Sequence, residues 1–360
     1  MTGNQRVRII AEAGVNHDGS LEKALQLIDI AKDSGADIVK FQTFKAEAIS
    51  NHSAPKAEYQ RQNNPGEESQ LEMLKRLELD ERAHQSLIIH CRDKNIQFLS
   101  TPFDVASLEM LDKRFHIPQI KIPSGEITNL PFLLRIAETK KPVILSTGMS
   151  SLGEIELALA TLAFGYKGSG RPSTHAFQDI FNSPEGQEAL AEKVTLLHCT
   201  TEYPAPFQEV NLKAMDTLKA AFGLPVGLSD HTPGIAVSIA AVARGAVVIE
   251  KHFTMNRNSP GPDHRASLEP DEMKSMVQAI RQVEAALGDF RKCPAPTELK
   301  NRAVARKSLV AACDIPQGTV FNEQNVGMKR PGTGISPVAY WDIMGKKAQR
   351  DFKQDELIET

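Results

Sequence analysis

Two lysines stand where apolar residues would be expected. Lys40 interrupts IVKF and Lys121 interrupts QIKI. An ammonium group inside a buried strand is costly unless it is paired or holds an anion. An internal Lys–Glu pair is the plain alternative for either lysine alone. The same chain sets Thr101, Ser124, Ser146 and Ser229 at the ends of apolar runs. Lysines flanked by hydroxyl donors make a workable cradle for phosphate and carboxylate without a P-loop. No Walker or GxGxxG pattern occurs in the sequence, which weakens nucleotide readings.

His231 in LSDHTPG and His252 in IEKHFT close two successive apolar runs. If those runs are neighbouring strands, the imidazoles meet and leave positions open for water or a substrate oxygen. Nitrogen plus oxygen ligands suit a borderline divalent cation such as Mn2+, with Mg2+ or Co2+ as alternatives, better than a dedicated Ca2+ site. His17 in GVNHDG reads as a capping or loop residue before a helix. Glu12, Glu126 and Asp263 are each either loop acids or partners for a lysine. Glu12 lies inside an apolar run, so it is the hardest to read as decoration and the candidate for managing a proton or water.

The elements that must position these residues follow from the pattern. Eight short runs rich in Val, Ile and Leu occupy 7–13, 36–42, 96–103, 118–124, 142–148, 194–200, 224–230 and 246–253. They lack strict alternation, as strands buried on both faces of a parallel sheet do. Helical patterns lie between them. Residues 20–34 put Leu21, Ala24, Leu25, Ile28 and Ala31 on one face before Gly35. Ser151 with Glu154 forms a capping box, and Thr232–Pro233 reads as an N-cap and first helical residue. Eight βα units predict an α/β (β/α)8 TIM barrel over 1–288, with a doubly wound sheet as the main alternative. The barrel is favoured because the suggestive residues sit at strand C-terminal ends, where barrel loops converge. Residues 166–192 read as a polar surface excursion, 289–302 as a linker, and 303–360 as a compact unit of short strands and turns.

Composition sets bounds. The formal net charge is −3 over 360 residues, which gives no reason to expect nucleic acid or an anionic membrane as partner. Four scattered cysteines form no CxxC pair, which argues against structural zinc and a disulfide framework. No run approaches the roughly 20 apolar residues of a membrane span, and the N-terminus does not read as a signal peptide. A reducing cytoplasm is the expected location.

Taken together, IIAEAGVNHDGS, DIVKFQTF, LSTPF, KIPSGEITNLP, ILSTGMSSLGEI, LLHCTTEYPAP, GLSDHT, IEKHFT and GPDHRASLEP resemble the successive motifs of the sialic acid synthases, and KRPGTGI resembles their antifreeze-like C-terminal domain. The resemblance spans essentially the whole chain. It implies a TIM barrel followed by a small β-rich domain like type III antifreeze protein. It also implies condensation of phosphoenolpyruvate with an N-acylated aldose, and a domain-swapped homodimer. By the same resemblance, Lys40, Thr101, Lys121, Ser124, Ser146 and Ser229 contact phosphoenolpyruvate, and His231 and His252 hold the metal. Gln42, Tyr203, Glu126 and Asp263 face the sugar, Arg330 arrives from the other subunit, and Glu12 is the acid/base residue. An asparagine after the second strand is also implied, for which Asn63 is preferred over Asn64. The product is a nine-carbon 2-keto acid sugar, N-acetylneuraminate or legionaminate. A pseudaminic acid synthase is the rival enzyme, and a non-catalytic carbohydrate- or ice-binding protein the rival of another class.

Overall fold

The computed structural model describes residues 6–359 apart from Ser53 and residues 64–67, together with the side chains of all but 59, 62 and 63 among them. The chain divides after Gly288 into two compact units.

In the first unit eight strands form one parallel sheet: β1 (Arg8–Gly14), β2 (Ile38–Thr43), β3 (Gln97–Pro102), β4 (Ile120–Ile122), β5 (Val143–Ser146), β6 (Val194–Cys199), β7 (Val226–Asp230) and β8 (Val248–His252). Ladder pairing runs β3-β2-β1-β8-β7-β6-β5-β4, and β3 packs beside β4 to bring the sheet round on itself. Helices join successive strands on the outside, as the (β/α)8 barrel requires. At Gly227 a Cβ would come within 2.3 Å of Val248 O, so glycine lets β7 and β8 approach.

The barrel interior shows why these strands carry polar residues at all. Ile10, Ile38, Leu99, Ile144, Leu197 and Val248 form a buried cluster of their own inside it. Side chains repeat on one face every second residue. Two positions on, the same strands supply Glu12, Lys40, Thr101, Ser146, Cys199 and Glu250. An apolar layer thus seals the barrel beneath a polar one.

The helix Leu21–Asp33 buries Ala24, Leu27, Ile28 and Ala31 and stops before Gly35 at φ +83°. Ser151 and Glu154 cap the helix Leu152–Lys167 as expected. The Thr232–Pro233 expectation fails. That helix starts at Ala236, because Thr232 N and Oγ1 both donate to Asp230 Oδ1, at 2.9 and 2.7 Å. The excursion over 166–192 contains two helices, Thr174–Phe181 and Pro184–Lys193, capped by Ser173 and Ser183. They cover a helix that is apolar almost all round, with Phe177 edge-on to Phe164 at 5.2 Å between ring centres. The supposed linker also holds a helix, Pro296–Ala305. Its proline at the start and in-register Glu298 outweigh the weak apolar period.

The second unit has its own core of Leu309, Ala311, Ile315, Phe321, Val326, Ile343, Ala348, Phe352 and Ile358. It is organised on the antiparallel pair β9 (Ser308–Ala311) and β10 (Val326–Lys329).

Candidate active site

The polar layer opens into a cavity of about 320 Å3 at the C-terminal ends of the strands. Glu12, Lys40, Gln42, Thr101, Lys121, Ser124, Ser146, Tyr203, Ser229, His231, His252 and Asp263 all line it.

At its centre are two lysines sharing a carboxylate. Lys40 Nζ lies 2.8 Å from Glu12 Oε2 and 3.6 Å from Glu250 Oε2, while Lys121 Nζ lies 3.6 Å from Glu250 Oε1. Burial disfavours every charge here. Glu250 nonetheless titrates low, at about 2, because Lys121 and Lys40 outweigh its desolvation. Burial dominates at Glu12, aided by the nearby Glu250 charge, and lifts its carboxyl to about 7 despite Lys40. Lys40 loses to burial but gains more from the two carboxylates and titrates above the ordinary lysine value. Desolvation wins at Lys121, whose pKa falls. With Glu12 near its midpoint at neutral pH, two lysines face one firmly ionised carboxylate and one only partly ionised, an arrangement that favours an incoming anion.

Hydroxyls complete the cradle. Lys121 Nζ donates to Ser146 Oγ at 2.7 Å, Lys40 Nζ to Thr101 Oγ1 at 3.3 Å, and Ser229 Oγ to Glu250 Oε1 at 2.8 Å. Gly148 N–H donates to Ser124 Oγ at 2.9 Å, and that oxygen is 3.1 Å from Cys199 Sγ. A Cβ at Gly148 would sit 2.3 Å from Thr201 Oγ1, so glycine keeps this corner open.

The imidazoles of His231 and His252 meet, with ring centres 5.6 Å apart. Tyr203 packs over His231 at 4.1 Å and edge-on to His252 at 5.6 Å. His231 Nδ1 donates to Thr200 O at 2.6 Å, and its Nε2 lies 3.3 Å from Ser229 Oγ, whose proton goes to Glu250, which leaves the Nε2 lone pair for a metal. His252 Nδ1 is buried without a hydrogen bond. Desolvation depresses both, His231 to about 4 and His252 well below the ordinary value, the latter helped by His231 itself. Two neutral imidazoles with such atoms fit a divalent cation. Asp263 Oδ2 is 3.9 Å from His252 Nδ1, and burial raises its carboxyl to about 6. Among the described residues no group of three or more His, Cys, Asp or Glu side chains is arranged as a metal cage.

Other expected residues lie elsewhere. Glu126 does not line the cavity; it accepts from Asn129 Nδ2 at 2.7 Å on the exposed turn after β4. The period of two ends with that strand, so its distance from Lys121 does not set its direction. Arg330 belongs to the second unit, where it is exposed and its Nε donates to Ala305 O at 3.0 Å. The side chain of Asn63, and Asn64 altogether, lie outside the described residues. His17 behaves as a loop residue, its Nδ1 accepting from Gly19 N–H at 3.0 Å. Glu250 is the residue that motif reading missed. It precedes His252 by two in IEKHFT, so the periodicity that exposes Lys40 could have found it.

Residues 27–292 match the NeuB family and residues 306–360 match the SAF domain. The chain is 52% identical over 98% of its length to the N,N'-diacetyllegionaminic acid synthase of Campylobacter jejuni, of which it covers 99%. It is 47% identical over 94% of its length to the enzyme of the same name from Legionella pneumophila, covering 89% of that chain. A crystal structure of N-acetylneuraminic acid synthetase from Leptospira borgpetersenii, in complex with citrate, superposes with a TM-score of 0.68 at 32% identity, over 83% of this chain and 90% of that one. A barrel of eight parallel strands with a charged cavity at its mouth, followed by an SAF domain, is the architecture of a NeuB-type synthase. The chain belongs to the NeuB family.

Proposed function

We infer that the protein condenses phosphoenolpyruvate with an N-acetylated mannosamine-type aldose and water, giving a nine-carbon 2-keto acid sugar and phosphate. Of the two aldoses implied by the sequence, 2,4-diacetamido-2,4,6-trideoxymannose is favoured over N-acetylmannosamine by the names of the relatives above. The observation that carries this reading is the pair of buried lysines sharing one carboxylate at the cavity centre.

Lys40 and Lys121, with Thr101, Ser124, Ser146 and Ser229, hold the phosphate and carboxylate of phosphoenolpyruvate. They act by position and charge, stabilising the anion as the enol carbon attacks the aldehyde and as water then adds at the former enol carbon. C–O cleavage expels phosphate. Glu12, whose carboxyl is poised near neutrality, exchanges the proton that this addition requires. Gln42, Tyr203 and Asp263 orient the sugar. His231 and His252 would hold a divalent cation, Mn2+ by preference, which supplies Lewis acidity toward the sugar's aldehyde oxygen. Phosphate release from phosphoenolpyruvate, measured with each sugar, tests the reading. EDTA should bring turnover to background and Mn2+ should restore it at least as well as Mg2+. Full turnover in a metal-free preparation would remove both histidines from that role.

The assembly belongs to the same reading: a cytoplasmic, domain-swapped homodimer in which Arg330 serves the partner's barrel. Mixing Arg330→Ala with Lys121→Ala tests it. In a swapped heterodimer one site carries both defects and the other neither, so up to half of the sites recover. Verified heterodimers without recovery would overturn the swap.

A further inference from the structure

The cavity has two unlike sides. Besides the charged groups, the cavity is lined by an apolar wall of Phe44, Ile49, Met73, Leu74, Leu77 and Phe103. These residues form a small cluster with Val15, separate from the main core. Thr43 pairs with Pro102 across β2 and β3, so the next residues, Phe44 and Phe103, emerge side by side. Their rings meet edge to face, 6.2 Å between centres. The helix Gln70–Leu77, anchored by a capping box of Ser69 and Glu72, brings Met73, Leu74 and Leu77. Phe44, Met73 and Leu77 are buried and form the backing, whereas Ile49, Leu74 and Phe103 are half-buried and present the surface.

A sugar hydroxyl laid against such a surface gives up its water and gains no partner, while a methyl group gains by burial. Two amides beside the wall point the same way. Gln60 Oε1 already accepts from Ala57 N–H at 2.9 Å, and Gln70 Oε1 from Ser50 Oγ at 2.9 Å. Both side chains line the cavity, and an amide group carries N–H donors of the kind an amide carbonyl needs.

We propose that this wall is a specificity element, selecting an aldose whose far end carries a methyl and a second acetamido group where an ordinary N-acetylhexosamine carries hydroxyls. The proposal rests on the synthase reading and adds to it the residues that tell the two sugars apart.

The test uses the full chain with Mn2+ and follows phosphate release with 2,4-diacetamido-2,4,6-trideoxymannose and with N-acetylmannosamine. The wild type should favour the first in kcat/KM by about tenfold or more, within the reach of an apolar pocket. Leu74→Gln and Phe103→Tyr should each lower that ratio by about tenfold, mainly through KM for the deoxy sugar, with KM for phosphoenolpyruvate little moved. Leu74→Met should hold the ratio within about threefold. If the polar variants lose Tm and both sugars fall in parallel, the wall is packing alone and the proposal is overturned while the synthase reading stands. If the wild type releases phosphate with neither sugar, both fall together.

Discussion

Two groups of buried charges in the barrel look alike in sequence and differ in what they do. Lys251 and Asp230 are fully buried and 3.0 Å apart. Lys251 Nζ also donates to Thr232 O, and Asp230 takes hydrogen bonds from Thr232 and Ser238. That set is closed: one cation, one anion, and carbonyl and hydroxyl partners around them. Lys40, Lys121, Glu12 and Glu250 are about as buried, yet two lysines share Glu250, Glu12 is only partly ionised at neutral pH, and all four face a cavity. Burial of a lysine is therefore no sign of function by itself. An unbalanced set beside empty volume is.

The largest effect should fall on the closed pair. Lys251→Ala strands the Asp230 carboxylate, and breaking a buried pair from one side costs about 3–5 kcal/mol. Urea unfolding should show that loss, while activity per folded molecule persists. A variant of wild-type stability but no activity would reverse the comparison. Next come Lys40→Ala and Lys121→Ala, each removing a charge-assisted contact to a bound anion worth about 1.5–3 kcal/mol. Calorimetry should show weaker phosphoenolpyruvate binding by that amount in a protein that still folds. Normal binding by both would make them structural ion-pair partners like Lys251.

The smallest effect concerns a second closed set, in which His84 Nε2 meets Thr43 Oγ1 at 2.8 Å and Thr43 meets Ser100 at 2.6 Å. Burial depresses the His84 pKa below its ordinary 6.5. Its contribution to stability is therefore complete above pH 6.5 and declines as pH falls toward the folded value. His17, lowered to about 4 by burial, adds to the same acid slope. The difference between wild type and His84→Gln is what reports on His84. Tm profiles should diverge at neutral pH and converge in acid, with the pH dependence of kcat unmoved. Parallel profiles would separate His84 from that slope.

Much of this was legible because a parallel barrel writes its interior in steps of two. Lys40, Thr101, Lys121, Ser146, Ser229 and His252 on the strands obey that period, and His231 continues it one residue past β7. Glu126 escaped it because it lies on a turn beyond its strand. Glu250 was overlooked beside a histidine with more obvious chemistry. The apolar wall could not be read either, since Phe44, Leu74 and Phe103 come from separate elements whose meeting depends on helix placement. The failed cap at Thr232 has the same root: Asp230, fixed by Lys251, claims both donors of a residue whose local sequence suits a helix start.

The apolar layer of Ile10, Ile38, Leu99, Ile144, Leu197 and Val248 makes the chamber above it a blind alley. Whatever enters must leave by the same mouth, and the lysines sit one layer above the dead end.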